Sequence, residues 1–265
     1  MKKTACFISI ILLSVLIGCD NTPPEPVIES QPIIEVSEPV EEIKEAKKMN
    51  EEIMNEPVIE EPAVYNISEL NDLSTIKLYD TVIMGEYEQD NNLDNGKEPI
   101  EWIVVSLDDE KALLYSKKAL DYMLFSSKEP DLNCVWESST LREWLNNDFY
   151  NNAFSADEQS LIISSTINNP IYVSVYDEPE EGKNTTDKVF CLSMFEYQNL
   201  FEGNDSGIFT ISDYASVKGS ETLCWSRTNI TTTGSMYVFD GHGGGFIDYN
   251  CDYISVVPAM YITLK

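Results

Sequence analysis

Apolar residues downstream of Asp80 first gather in short β-rich runs between turn residues and then recur at helical spacing. Asp80–Glu88 and Ile100–Ser106 read as strands joined across a turn at Asn95-Gly96, and Asp108-Asp109 leads into a third strand at Ala112–Tyr115. Leu141, Trp144, Leu145 and Phe149 then stand at i, i+3, i+4 and i+8 behind Ser138, Ser139 and Thr140, which predicts a capped helix. Ser155-Ala156-Asp157-Glu158 has the form of a capping box and predicts a second helix through Leu161 and Ile162. Strand patterns return at Ile171–Tyr176, Lys188–Leu192, Leu223–Arg227, Met236–Phe239 and Ile254–Leu264. Strands, two helices, then more strands predict an α+β domain.

The first 65 residues follow a different pattern. Lys2 and Lys3 precede an apolar run of 14 residues, Ala5–Gly18, too short for the roughly 20 residues that span a bilayer and of the length of a secretory signal. Asp20–Tyr65 holds 13 acidic and 3 basic residues, 7 of the 12 prolines, no glycine and one aromatic residue. Prolines and like charges keep such a segment extended. Residues 66–265 carry 26 of the 28 aromatic residues and therefore the capacity for a core. The predicted organisation is a signal at 1–18, an acidic Pro/Glu-rich linker at 19–65 and a globular domain at 66–265. The net charge of −29 excludes a nucleic-acid partner, since phosphate neutralisation needs surplus Lys and Arg.

Leu16-Ile17-Gly18-Cys19 resembles the lipobox of bacterial lipoproteins, in which the cysteine becomes the lipid attachment site. That resemblance implies attachment to the membrane through Cys19 and an extracytoplasmic location on the cell envelope. Further blocks are Gly85-x-Tyr87-x-Gln89, Glu98-Pro99-Ile100-x-Trp102, Leu113-Leu114-x-Ser116-x-x-x-Leu120-Asp121, Trp136-x-x-Ser139-x-x-Arg142-x-Trp144-Leu145-Asn146, Ala153-Phe154-Ser155 and Val256-x-Pro258-Ala259. In this order they resemble a bacterial domain of unknown function common in secreted and lipid-anchored proteins of anaerobic bacteria. Cys224-Trp225-Ser226-Arg227 with Pro258-Ala259 is similar to a pattern of the C-type-lectin-like fold shared with formylglycine-generating enzymes, although Val257 replaces the arginine before the proline. The resemblance implies a C-type-lectin-like domain with its ligand face in the late loops. It implies no reaction.

Candidate chemistry is sparse. His242 is the only histidine, which excludes multi-histidine metal sites and most histidine-based triads. Asp90-x-Asn92-x-Asp94-Asn95-Gly96 with Glu101 approximates a calcium loop, and Asp240, Asp248, Asn250 and Asp252 offer further hard oxygen ligands for Ca²⁺. The spacing equally suits a hairpin loop, and the sequence requires no cofactor. Beyond Cys6 and Cys19, Cys134, Cys191, Cys224 and Cys251 permit three pairings. A Cys224–Cys251 bridge would close the glycine-rich loop; the alternative is buried thiols. Trp225, Arg227, Tyr237, Asp240, His242, Asp248 and Tyr249 are the candidate ligand-binding residues, with aromatic faces for stacking and polar groups for directed hydrogen bonds. The expected function is non-catalytic binding of a glycan or protein. A carboxylate-dependent hydrolase or modifying enzyme and a purely structural envelope protein are the alternatives. Replacing Cys19 with Ala is expected to abolish fatty-acid labelling and membrane retention; label persisting on that variant would refute attachment there.

Overall fold

The β-rich segments near the start pair first. β1 (Val64–Asn66) runs parallel to β2 (Thr81–Tyr87), which pairs antiparallel with β3 (Glu98–Leu107), itself antiparallel to β4 (Lys111–Ser116). Two short strands follow, β5 (Lys118–Ala119) and β6 (Asp121–Met123). The first helical region comprises α1 (Thr140–Trp144), a π-helical turn (Leu145–Phe149) and α2 (Tyr150–Ala153); α3 (Ala156–Leu161) comes next. The chain continues through β7 (Ser165–Ile167), β8 (Ile171–Tyr172), β9 (Thr185–Asp187), α4 (Met194–Phe201), β10 (Thr210–Ile211) and α5 (Asp213–Lys218). It ends with β11 (Cys224–Ile230), β12 (Ser235–Phe239), β13 (Gly244–Asp248), β14 (Ile254–Val256) and β15 (Ala259–Thr263). This computed structural model describes residues 61–127, 135–172, 180, 182–201, 209–230, 235–239, 244–248 and 253–265, which lie in one unit, Glu60–Lys265.

Two larger sheets organise these elements, with β5 paired to β10 and β7 to β9 in two-stranded sheets. One has the order β1-β2-β3-β4-β15, so the last strand closes a sheet begun by the first. The other has the order β13-β12-β11-β14-β6, with β8 also paired to β11. A continuous core includes Trp102, Trp136, Phe149, Phe190 and Trp225. The α+β class holds: strands and helices share one core, and the sheets mix parallel and antiparallel pairs.

The structure corrects several boundaries. The domain starts before residue 66, because β1 pairs with β2 and the Ala63 N–H donates to Asp80 Oδ1 at 2.8 Å. The folded unit therefore takes in residues that composition assigned to an acidic linker. Lys188–Leu192 is not a strand; it makes one bridge, Phe190 to Ala259. Ile254–Leu264 divides into β14 and β15 at Val257-Pro258, where proline has no N–H for a ladder. Two helices beyond the expected pair, α4 and α5, stand among the later strands. Of Ile171–Tyr176, only β8 lies within the described residues.

The capping box joins a helix to the first sheet. Ser155 accepts from the Glu158 N–H while Glu158 Oε2 accepts from the Ser155 N–H at 2.8 Å. Glu158 Oε1 also accepts from the Gly85 N–H at 2.6 Å, at the register shift between β2 and β3. Gly85 has φ +74°, and a Cβ there would lie 2.7 Å from the Phe154 ring. An L-residue would meet both backbone strain and a clash. Gly85→Ala is expected to cost about 2–4 kcal/mol in denaturant unfolding; a change below about 0.5 kcal/mol would show that the junction yields.

Candidate functional site

The helix at Thr140 is anchored through its polar side chains. Ser139 caps it, its hydroxyl accepting from the Arg142 N–H at 3.1 Å. Arg142 Nε donates to Asp187 Oδ1 at 2.6 Å. Asp187 is buried, and its Oδ2 accepts from Trp136 Nε1 at 2.8 Å and from the Thr185 hydroxyl at 2.7 Å. Asn146 holds the next stretch of chain: its side-chain oxygen accepts from the Lys188 N–H at 2.7 Å, and its amide donates to the Val189 carbonyl at 2.9 Å. Asn146 stands in the π-helical turn, a widened turn that re-aims the residues after it.

Along this helix opens a cleft of about 440 Å³, lined by Met123, Leu124, Ser127, Thr140, Glu143, Trp144, Asn147, Asp148 and Tyr253. Its walls are tied together, the Leu141 N–H donating to the Phe125 carbonyl at 3.1 Å and the Ser127 N–H to the Thr140 hydroxyl at 3.0 Å. Trp144 is half-buried, edge-on to Tyr87 at 6.3 Å and tilted against Phe149 at 5.3 Å. The Tyr87 hydroxyl donates to Asp121 Oδ2 at 2.5 Å, and the Lys218 ammonium donates to Asp121 Oδ1 at 2.7 Å. Burial, reinforced by the Asp121 carboxylate, pushes the Tyr87 hydroxyl far above its ordinary range. Burial opposes the charge of Lys218, yet its bonds to Asp121 and Tyr214 raise its pKa on balance. These contacts brace the Trp144 ring.

The other aromatic wall rests on a glycine. Gly219 ends α5 at φ 106°, and a Cβ there would sit 3.1 Å from the Tyr122 ring. Tyr122 in turn lies 5.7 Å from Tyr253, which is 51% exposed. Trp102, Trp136 and Trp225 donate their indole N–H groups to Met84, Asp187 and Met123. The Trp144 indole N–H has no acceptor among the described residues.

Two of the residues proposed from sequence lie in the interior. Trp225 and Arg227 are enclosed in β11, at 1% and 2% exposure, and cannot serve as a ligand platform. A period-2 strand buried on both faces hides every residue, and β11 is buried throughout. Arg227 forms a bidentate pair with Glu196 and donates to the Cys191 and Asn168 carbonyls, over the Phe190 ring. The backbone pairing sets Tyr237 opposite Phe246 and Asp248 opposite Ser235. Asp240, His242, Tyr249 and Cys251 lie outside the described residues, as does Cys19. Cys224 is a buried thiol beside Tyr115 and Cys191.

The calcium-like spacing forms a hairpin loop between β2 and β3. Carboxylate oxygens of Glu88, Asp90 and Glu98 come within 4.8 Å of one another. Each already accepts backbone N–H groups: Glu98 from Gln89 and Asp90, Glu88 and Asp90 from Asn92. Glu101, the expected twelfth-position ligand, instead pairs with Lys117 at 2.8 Å.

Sequence reasoning missed Trp144 and Tyr253 as surface groups. Thr140, Glu143, Trp144 and Asn147 stand at i, i+3, i+4 and i+7, a polar helix face containing a tryptophan. Trp144 also fits the apolar stripe of Leu141 and Leu145, which conceals that signal.

A family model described as a domain of unknown function, DUF6273, matches residues 109–263, more than half of the chain. No curated protein and no solved structure matches it. The matched span includes the helix, the Asp187 anchor and every residue lining the cleft.

Burial, with Cys224 adding to it and Arg227 opposing it, raises the Cys191 thiol above its ordinary value of 9.0; burial likewise raises Tyr115. Groups whose folded pKa is raised contribute stability that is complete below the unfolded pKa and lost as pH climbs above it. Urea stability is therefore expected to begin falling as pH passes about 9 and to keep falling toward about 11. A flat profile across that window would contradict the burial of these groups.

Proposed function

We propose, for a chain that belongs to the DUF6273 family, a lipid-anchored cell-envelope protein whose domain binds a glycan without catalysis in the cleft beside Trp144. One observation carries this reading: the cleft joins a braced indole face and an exposed tyrosine to side chains left available for directed hydrogen bonds. Carbohydrate recognition needs that combination, because sugar rings offer C–H faces for stacking and hydroxyls for polar groups. The paired cations support it indirectly. Arg142, Arg227 and Lys218 are each paired with a carboxylate, which assigns them to the scaffold. Among the described residues, no helix is long and apolar enough to cross a membrane, so anchoring rests on the lipid expected at Cys19. We read the fold as C-type-lectin-like, supported by the motif segments around Trp225 and Pro258 meeting in the core.

Glu143 and Asp148 share the cleft, and the same pair would serve a hydrolase. A glycan array with the full chain, followed by calorimetry on the best oligosaccharide, tests the binding reading. Tyr253→Ala is expected to weaken affinity roughly three- to tenfold, the equivalent of one aromatic contact of about 0.5–1.5 kcal/mol. Its stability is expected to change by less than about 1 kcal/mol. Release of new reducing ends, lost in Glu143→Gln, would replace binding with hydrolysis; silence across the array would remove the glycan reading.

A further inference from the structure

Resting on the reading of this cleft as a glycan site, we infer that the sugar unit it selects carries a free, protonated amino group. The ionisable side chains lining the cleft are Glu143 and Asp148, both exposed carboxylates, alongside Tyr253. Among the described residues neither carboxylate has an ion-pair or hydrogen-bond donor from another side chain. Arg142 lies one residue from Glu143 but donates to Asp187 and to the Glu137 and Thr186 carbonyls. Lys218 is held by Asp121 and stacked over Tyr214 at 4.0 Å. No lysine, arginine or histidine lines the cleft among the described residues.

A ligand entering this cleft therefore meets negative charge that no cation among the described lining residues compensates, in a protein of net charge −29. An acidic sugar is repelled there, and a neutral N-acetylated sugar leaves the carboxylates without a charged donor. An ammonium group donates charge-assisted hydrogen bonds to the carboxylates and is attracted to the faces of Trp144 and Tyr253. Ser127, Thr140 and Asn147 supply neutral partners for the hydroxyls of the same ring. The ligand class is thus a glycan containing unacetylated amino sugar.

Calorimetry of the full chain at mildly acidic pH, with a glucosamine tetramer and an N-acetylglucosamine tetramer in parallel, separates this inference from the reading beneath it. The amine form is expected to bind roughly tenfold to a hundredfold more tightly, the range of one or two charge-assisted hydrogen bonds. Added salt is expected to narrow that gap. Glu143→Gln and Asp148→Asn are expected to bring the two affinities together while leaving the thermal midpoint in place. Equal or tighter binding of the acetylated tetramer would overturn the amine inference and leave the glycan site standing. Failure of both tetramers would overturn the inference, and failure of the array would remove the glycan site as well. Tetralysine serves as a control for bulk charge: if it matched the glucosamine tetramer and both variants left affinity unchanged, the attraction would belong to the whole surface and the inference would be wrong.

Discussion

The carboxylate of Asp187 is the constraint on which the site depends. Buried charge is costly by several kcal/mol unless it is paired and hydrogen-bonded. Here one oxygen takes Arg142, and the other takes Trp136 and Thr185. The three donors come from the residues before the helix, from the helix itself and from β9, so meeting the needs of one charge fixes all three segments. Asn146 adds a second clamp to residues 188 and 189. Losing one partner of such a pair typically costs about 3–5 kcal/mol, because the other charge is left stranded. The network thus contributes position more than net stabilisation.

Polar groups in the domain fall into two sets. Asp187, Arg227 and Asp121 are buried and take partners from distant parts of the chain, as burial demands. Glu143, Asp148 and Trp144 line the cleft, and neither the two carboxylates nor the indole N–H has such a partner among the described residues. Water satisfies exposed groups at little cost, and the same groups remain available to a ligand that displaces it. A braced ring beside adaptable polar groups is what lowers the ordering cost of recognition.

Glycine, proline and tryptophan positions are the joints of this scaffold. Gly85 meets Phe154 and Glu158; Glu98 and Pro99 hold Gln89; Trp102 reaches Met84; Pro258 accepts from Ser116. A pattern built from such residues specifies a framework, and function resides in what the framework presents. Trp144 is the one aromatic residue of the central block that both supports the core and lines the cleft.

Local rules made much of the architecture legible. β-rich runs between turn residues marked β2, β3 and β4, and the Ser155 box marked α3 because its bonds span only three residues. The short β7 and β9, the added helices and the break at Pro258 escaped notice, since each is set by pairing with residues far away in sequence. The site was less legible. Arg227 and Trp225 have the composition of a binding surface, but only the burial of β11 on both faces shows that they belong to the interior. Glu143, Trp144, Asn147 and Tyr253 become one cleft only after Asp187 has anchored the helix and Gly219 has admitted Tyr122. Sequence by itself determined the charge, the acidic leader segment, the α+β class and the local caps. Tertiary structure decided which aromatic residues face water, because burial is a property of what packs against a side chain and not of the side chain itself.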